Sequence, residues 1–251
     1  MGTRKRLDKL LLDRGLVASR EEGRGRILAG DVLVNEQPST KEGSLIYQAA
    51  AILVKQKARP YASRGGSKLE TALQRFDIEV SGKTIIDVGA SSGGFSDCLL
   101  AHGARQIFAV DVGYGQLDWR LRNDPRVVVF EKTNIRYLEL SALPCPADLA
   151  TIDVSFISLK LVLPNVKALL RPEHQIIALI KPQFEVGKGK VGKGGVVRSH
   201  EEHQRVIEEI EAAATTLGYD VLGVIESPLL GPAGNKEFFI HLSTPHARGE
   251  I

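Results

Sequence analysis

Long apolar runs are missing from this chain: the longest is six residues, 49–54, against the roughly 20 that a helix needs to cross a bilayer. No membrane-spanning segment is expected. The basic start, Arg4-Lys5-Arg6, leads into a charge-punctuated amphipathic stretch, Leu7 to Arg14. A secretory signal would carry an apolar centre there, so the expected location is the cytoplasm. Cysteine is scarce as well. Cys98 and Cys145 are too few for a disulfide framework, and neither stands in a CxxC or Cys/His spacing suited to zinc. No metal is expected. Repeats and low-complexity tracts are also absent, and a hydrophobic content of 43% with 25% charged residues fits a globular protein with a sizeable core.

What the chain has is an uneven distribution of charge. Residues 1–60 hold twelve Lys and Arg against seven Asp and Glu, a surplus of five, whereas the remainder carries two more acids than bases. Positive charge gathered in one quarter of a chain points to a densely anionic partner, nucleic acid before others. A length of 251 residues exceeds the usual single domain, so a small basic domain at 1–60, a linker at 61–66 and a larger domain at 67–251 are predicted.

In the first segment, Leu7, Leu10 and Leu11 repeat at helical spacing, Gly15 stops that helix and Ser19 can open a second. Gly23 and Gly25 fall inside the second helix, at about 1 kcal/mol each relative to alanine. Val32, Val34 and Ile46 then predict short strands, with a turn at Asn35-Glu36-Gln37. Beyond the Pro60 and Gly65-Gly66 linker the pattern alternates. Helices are predicted at 67–76, 95–102, 159–170 and 201–217, and strands at 84–89, 106–112, 127–131, 149–154, 176–180, 220–225 and 238–242. Strands apolar on both faces and joined by helices imply an α/β fold, a seven-stranded, mostly parallel sheet covered on both sides. The last two strands lack a helix between them and should form a hairpin, giving one antiparallel strand at the edge.

The strongest local signal is Ile85-Ile86-Asp87-Val88-Gly89-Ala90-Ser91-Ser92-Gly93-Gly94-Phe95, a strand that runs through a glycine-rich turn into a helix. Small residues there let a ligand approach the backbone at a helix N-terminus. Serine at 91 breaks the dinucleotide pattern GxGxxG; a tight turn without a ligand is the plainer reading of the same residues. Asp111, 22 residues after Gly89, is placed to accept hydrogen bonds from a ribose diol, or merely to cap a loop. Asp153 ends the fourth strand and Lys181 the fifth, at one edge of the sheet. A lysine there is costly to bury unless paired, and Asp153 is its natural partner; the pair is either catalytic or structural. Lys68 and Glu237 are further charges beside apolar runs, each weak on its own.

Two leads are set aside. The Gly187 to Gly194 run is one residue from a P-loop but has Gly194 in place of the metal-binding hydroxyl, and reads as a basic loop. His200 and His203 share a helix face, yet have no third ligand nearby and read as a solvated helix start.

Taken together, these residues resemble the TlyA-type proteins, known as haemolysins or ribosomal RNA 2′-O-methyltransferases, within the FtsJ-like methyltransferases. The likeness covers essentially the whole chain. Arg6-Leu7-Asp8-Lys9-Leu10-Leu11, Ser19-Arg20 and Gly30-Asp31-Val32-Leu33-Val34-Asn35 resemble a small α+β RNA-binding domain of the S-four type. The resemblance implies a Rossmann-like class I methyltransferase domain that uses S-adenosylmethionine. Asp87, Gly89, Ala90, Ser91, Gly93, Gly94, Phe95 and Asp153 would hold the cofactor, with Asp111 on its ribose and Asn134 near adenine. It also implies a Lys68-Asp153-Lys181-Glu237 tetrad that activates a ribose 2′-hydroxyl without a metal, and RNA contacts by Arg4, Lys5, Arg6, Lys9, Arg20 and Arg24. The expected partner is structured RNA, ribosomal RNA foremost, read through shape, phosphates and 2′-hydroxyls. Two rivals stay open: a membrane-lytic protein, for which no spanning or strongly amphipathic apolar helix is visible, and an RNA-binding protein with a degenerate methyltransferase domain.

Overall fold

The computed structural model describes residues 3–17, 19–28, 31–39, 41, 43–54, 61–187, 191–192, 194–231 and 234–245. Gly30 of the expected RNA-binding pattern, Pro60 at the expected domain boundary, and positions 188–190 and 193 of the basic loop lie outside them. The chain divides into two compact units, 1–59 and 60–251.

The smaller unit runs β1 (Arg4–Arg6), α1 (Leu7–Asp13), α2 (Arg20–Leu28), β2 (Val32–Val34), β3 (Gln37–Pro38), β4 (Leu45–Tyr47) and β5 (Ile52–Val54). Strands β3, β2 and β5 form one antiparallel sheet, and β1 and β4 a second pair. Asn35 and Glu36 both have positive φ, 49° and 67°, the two-residue geometry that matches the twist of a tight hairpin between β2 and β3. Leu7 and Leu11 of α1 meet Ile27 of α2 and Val32 of β2, and this small core lets α2 form despite its two internal glycines.

The larger unit contains α3 (Arg64–Phe76), β6 (Thr84–Val88), α4 (Gly94–Ala101), β7 (Gln106–Val110), α5 (Trp119–Arg122), β8 (Val127–Phe130), β9 (Ala147–Ile152), α6 (Leu163–Ala168), β10 (Leu170–Ile180), α7 (Pro182–Glu185), α8 (His200–Thr216), β11 (Asp220–Glu226) and β12 (Phe238–Ser243). Its seven strands lie in the order β11-β12-β10-β9-β6-β7-β8. The five from β10 to β8 are parallel. The hairpin β11–β12 completes the sheet, and β12 pairs antiparallel with both β10 and β11, so β11 at the margin again runs with the parallel set.

Alternate residues of each strand go to opposite faces, as the period of two requires. Ile86, Phe108, Ile152, Ile176 and Ile240 pack with Leu163 and Val166 of α6 and Val206 and Ile210 of α8. Ile85, Ile107, Leu149, Ile177 and Phe239 pack on the other side with Leu69 and Leu73 of α3 and Leu99 of α4. Both faces are covered, which is why the strands read as continuous apolar runs.

Three expectations need correction. The predicted linker at 61–66 belongs to the folded unit: Tyr61 is buried, and its ring fills the place where a β-carbon of Gly66 would stand, 2.3 Å away. Ser63 accepts from the Gly65 N–H and caps α3. The helix predicted at 159–170 is shorter, a 3-10 turn at Leu159–Leu161 followed by α6, and β10 begins at Leu170 because the chain turns straight into the sheet beside β9. His203 is not solvated; it is buried, pairs with the Val197 carbonyl at 2.9 Å and packs on Phe238.

Candidate active site

The site grows from the ends of the parallel strands. After β6 the chain must turn sharply, and Gly89 does so at φ +84°, its N–H donating to the Val110 carbonyl at 2.8 Å. A β-carbon on Gly89 would lie 2.4 Å from the Asp153 carbonyl oxygen, so only glycine lets β6 and β9 close up there. Ser91, at φ +48°, donates its backbone N–H to Asp111 at 2.8 Å, and the other Asp111 oxygen takes the Gly113 N–H at 2.7 Å. Asp111 thereby ties the turn after β6 to the turn after β7. Gly93, at φ +90°, and Gly94 start α4; β-carbons on them would meet Leu121 at 2.2 Å and Ser63 Oγ at 2.1 Å.

Asp87 stands apart from the other candidates. It is fully buried within β6 and lines neither of the cavities described below. Its carboxylate accepts from Ser96 Oγ at 2.6 Å and Thr151 Oγ1 at 3.0 Å, and burial raises it to about 6. Its visible work is to fasten β6 to α4 and β9, so direct contact with a ligand is corrected to support of the cradle.

Four charged side chains from distant stretches meet at the same edge. Lys68 of α3 donates to Glu237 Oε2 at 2.6 Å across 169 residues of sequence, with Glu237 wholly buried. Lys181, just after β10, lies 2.6 Å from Asp153 Oδ1 and donates to Ser155 Oγ at 3.0 Å. All four line one cavity of about 370 Å³. Two cations face two anions, so the group can be buried without net charge. Glu237 Oε1 has no hydrogen-bond partner among the described residues, an acceptor in want of a donor.

A second cavity of about 510 Å³ adjoins the first and shares Gly89, Ser91 and Asp153 with it. Asp111, Gln116 and Asn134 supply its polar lining, and Val112 and Ile157 its apolar walls. Asn134 caps a short 3-10 turn through its bond from the Arg136 N–H at 3.1 Å. Phe156, 90% exposed and held at φ +64°, lines this cavity's mouth with its ring 4.8 Å from Phe184. Another cavity of about 510 Å³ lies at the opposite end of the strands, but its Asp148 is taken by the Thr84 N–H and Arg171, and its His174 by Tyr219.

Ala90 and Phe95 line the tetrad cavity with Gly94, while Gly93 does not line it and lies against Leu117 and Leu121. Ser155, Gln116 and Gly231 were not singled out by their sequence. Gly231 has a signal only in hindsight of the fold: a β-carbon there would sit 1.9 Å from Glu237 Oε1.

In the smaller unit, Asp8 is wholly buried and gathers two of the expected RNA contacts. It accepts from Arg6 at 3.0 and 3.1 Å, from Arg20 at 2.8 Å and from the Lys9 N–H at 2.9 Å. Arg6, and then Arg20, hold its carboxyl well below the usual carboxylate range. Arg4 lies over the Tyr47 ring, 4.4 Å from its centre, and Lys5 pairs with Asp13. Lys9 and Arg24 are exposed.

A glycine cradle at a helix start, a carboxylate just after the next strand and a largely buried tetrad of paired charges define a Rossmann-like transferase domain. The family model described as FtsJ-like methyltransferase matches residues 61–244, and that described as S4 domain matches 5–46. The chain belongs to the FtsJ-like methyltransferases. It is 45% identical over 245 residues to the 16S/23S rRNA (cytidine-2'-O)-methyltransferase TlyA of Mycobacterium tuberculosis, covering 97% of this chain and 91% of that one. With YqxC of Bacillus subtilis, a candidate rRNA methyltransferase, it shares 47% identity over 96% of this chain and 86% of the relative. A solved structure of a candidate hemolysin from Streptococcus thermophilus superimposes with a TM-score of 0.77 at 40% identity, covering 98% of this chain and 90% of that one. No helix of the described residues is long and apolar enough to cross a membrane.

Proposed function

We propose that this chain is an S-adenosylmethionine-dependent methyltransferase acting on ribose 2′-hydroxyls of ribosomal RNA, with its smaller unit binding the RNA. The observation that carries this reading is the meeting of Lys68, Asp153, Lys181 and Glu237 in one cavity that adjoins a second through Gly89, Ser91 and Asp153. The names of the curated relatives support it.

The larger cavity fits the cofactor. Gly89 offers bare backbone, each Asp111 oxygen keeps a lone pair after its one backbone bond, and Val112 and Ile157 offer flat apolar contact for a purine. When bound, the cofactor supplies an electrophilic methyl on a sulfonium. The chain's own residues must hold the ribose oxygen in line with it and deal with the proton. A ribose hydroxyl is a poor nucleophile at neutral pH until a positioned group takes or stabilises that proton. Lys181 serves this role as an ammonium balanced by Asp153 at 2.6 Å: it donates to the ribose oxygen and stabilises it while the hydroxyl proton passes to solvent. Lys68 keeps Glu237 in place, and the unpaired Glu237 Oε1 is an acceptor for a substrate hydroxyl. Phe156 adds an exposed aromatic face of the kind on which unpaired RNA bases stack.

The test is incubation of the pure protein with methyl-labelled donor and each ribosomal subunit, followed by alkaline hydrolysis. Label retained in alkali-resistant dinucleotides is the expected result. Absence of incorporation on either subunit, or label confined to bases, overturns the reading.

A further inference from the structure

We propose that Ser155 is a positioning residue for methyl transfer, fixing the direction of the Lys181 ammonium; the inference rests on the function proposed above. An ammonium on a four-carbon stem is a point charge free to swivel, and an ion pair alone gives it little direction. The two contacts of Lys181 differ in this respect. Asp153 Oδ1 lies 2.6 Å from Nζ but receives no aligned hydrogen bond, whereas Ser155 Oγ receives one at 3.0 Å. Asp153 therefore supplies charge, and Ser155 supplies orientation. With one N–H committed to Ser155 and the cation drawn to Asp153, the two remaining N–H groups are fixed relative to the cavity that Lys181 lines.

The segment that carries Ser155 is fastened to the helix that follows Lys181. Phe156 packs its ring on Phe184 of α7, and the Leu159 N–H donates to Glu185 Oε1 at 2.8 Å. These contacts hold Phe156 at φ +64°, a conformation costly for a residue with a side chain. Lysine and serine thus move as one clamped piece. Because Ser155 Oγ accepts from the ammonium, its own O–H turns away from Lys181, and the residue lines the cofactor-side cavity with Asp111 and Asn134. Ser155 gains and loses no atom in the reaction.

The test compares wild type with Ser155→Ala and Ser155→Thr on the ribosomal subunit that the wild type methylates. For alanine the expectation is a fall in kcat of about tenfold, the size of one hydrogen bond to a charged group. Its Kd for S-adenosylmethionine and its KM for the subunit should stay within about twofold of wild type, and its melting temperature should be unchanged. Threonine, which keeps the oxygen, should recover kcat to within about threefold. Should the alanine variant fold poorly, Ser155→Cys preserves the shape but exchanges oxygen for a weak acceptor, and the same fall is expected. Wild-type kcat in the alanine variant overturns the proposal, as does a matching loss of cofactor affinity, or a threonine variant no faster than alanine. A wild type inert on both subunits is a failure of the methyltransferase reading itself, seen before any variant is made.

Discussion

The carbonyl oxygen of Asp153 occupies the space next to Gly89 where any other residue would carry its β-carbon, 2.4 Å from that position. The contact is backbone against backbone, so no side-chain rotation relieves it, and φ at Gly89 is already +84°. Gly89→Ala must push β6 from β9 at the point where both proposed ligand cavities meet. The expected outcome is a loss of S-adenosylmethionine affinity of at least about a hundredfold, read by titration calorimetry, with a lower melting temperature. Affinity within a few-fold of wild type would remove the turn from the cofactor site.

Lys181 lies on the far side of Asp153 from that turn, so its removal separates catalysis from binding. Lys181→Ala should lower single-turnover methylation by about a thousandfold, within the range that positioned acid-base groups supply, and leave cofactor affinity within about threefold. An equal loss of cofactor binding would make the Lys181–Asp153 pair structural.

How much of this was legible beforehand depends on what each residue answers to. Strands apolar on both faces declare a covered parallel sheet by composition alone, and the order of elements followed from it. Lys181 and Asp153 were readable as partners because each directly follows a strand, and β9 and β10 are neighbours. Lys68 and Glu237 were not, since nothing local brings together residues 169 positions apart; only the family resemblance joined them. Asp87 was misplaced because strand alternation turns it into the packing between β6 and α4, where Ser96 and Thr151 satisfy it. Tyr61 was read as linker because Pro60 and Gly65-Gly66 are turn formers, whereas Gly66 is there to admit the Tyr61 ring. Ser155 carries no pattern at all: its role exists only once Lys181 is beside it.

Asp87 also makes a prediction about pH, together with His241. Burial raises Asp87 to about 6, so the folded state holds its proton more tightly than the unfolded chain does; that contribution to stability falls as pH rises from about 4 to 6. Burial first, and Lys83 second, lower His241 to about 4, so its contribution rises as pH climbs from about 4 to 6.5. The two slopes oppose each other in the wild type. Asp87→Asn should therefore gain stability relative to wild type across this window, by on the order of 3 kcal/mol at most. His241→Gln should lose stability relative to wild type over the same range. Chemical denaturation at pH 4, 5, 6 and 7 reads both differences, and parallel curves for all three proteins would show that neither group is perturbed.

In the smaller unit, Asp8 and Arg20 separate two ways of weakening RNA binding. Arg20→Ala removes one cation, so the dependence of affinity on salt should flatten by about one counterion. Asp8→Ala keeps both arginines but removes the buried carboxylate on which Arg6 and Arg20 converge, 2.8 Å from Arg20. Positive charge then increases while the guanidinium groups lose their fixed places. The Asp8 variant should bind ribosomal subunits more weakly at physiological salt, without a shallower salt slope, and lose about 1–3 kcal/mol of unit stability. That stability is present in the wild type above the usual carboxylate range and declines as acid protonates Asp8, since its partners hold it ionised. Titrations at several salt concentrations decide the matter. A slope that flattens equally in both variants would mean that Asp8 acts only by holding the domain folded, not by aiming its arginines.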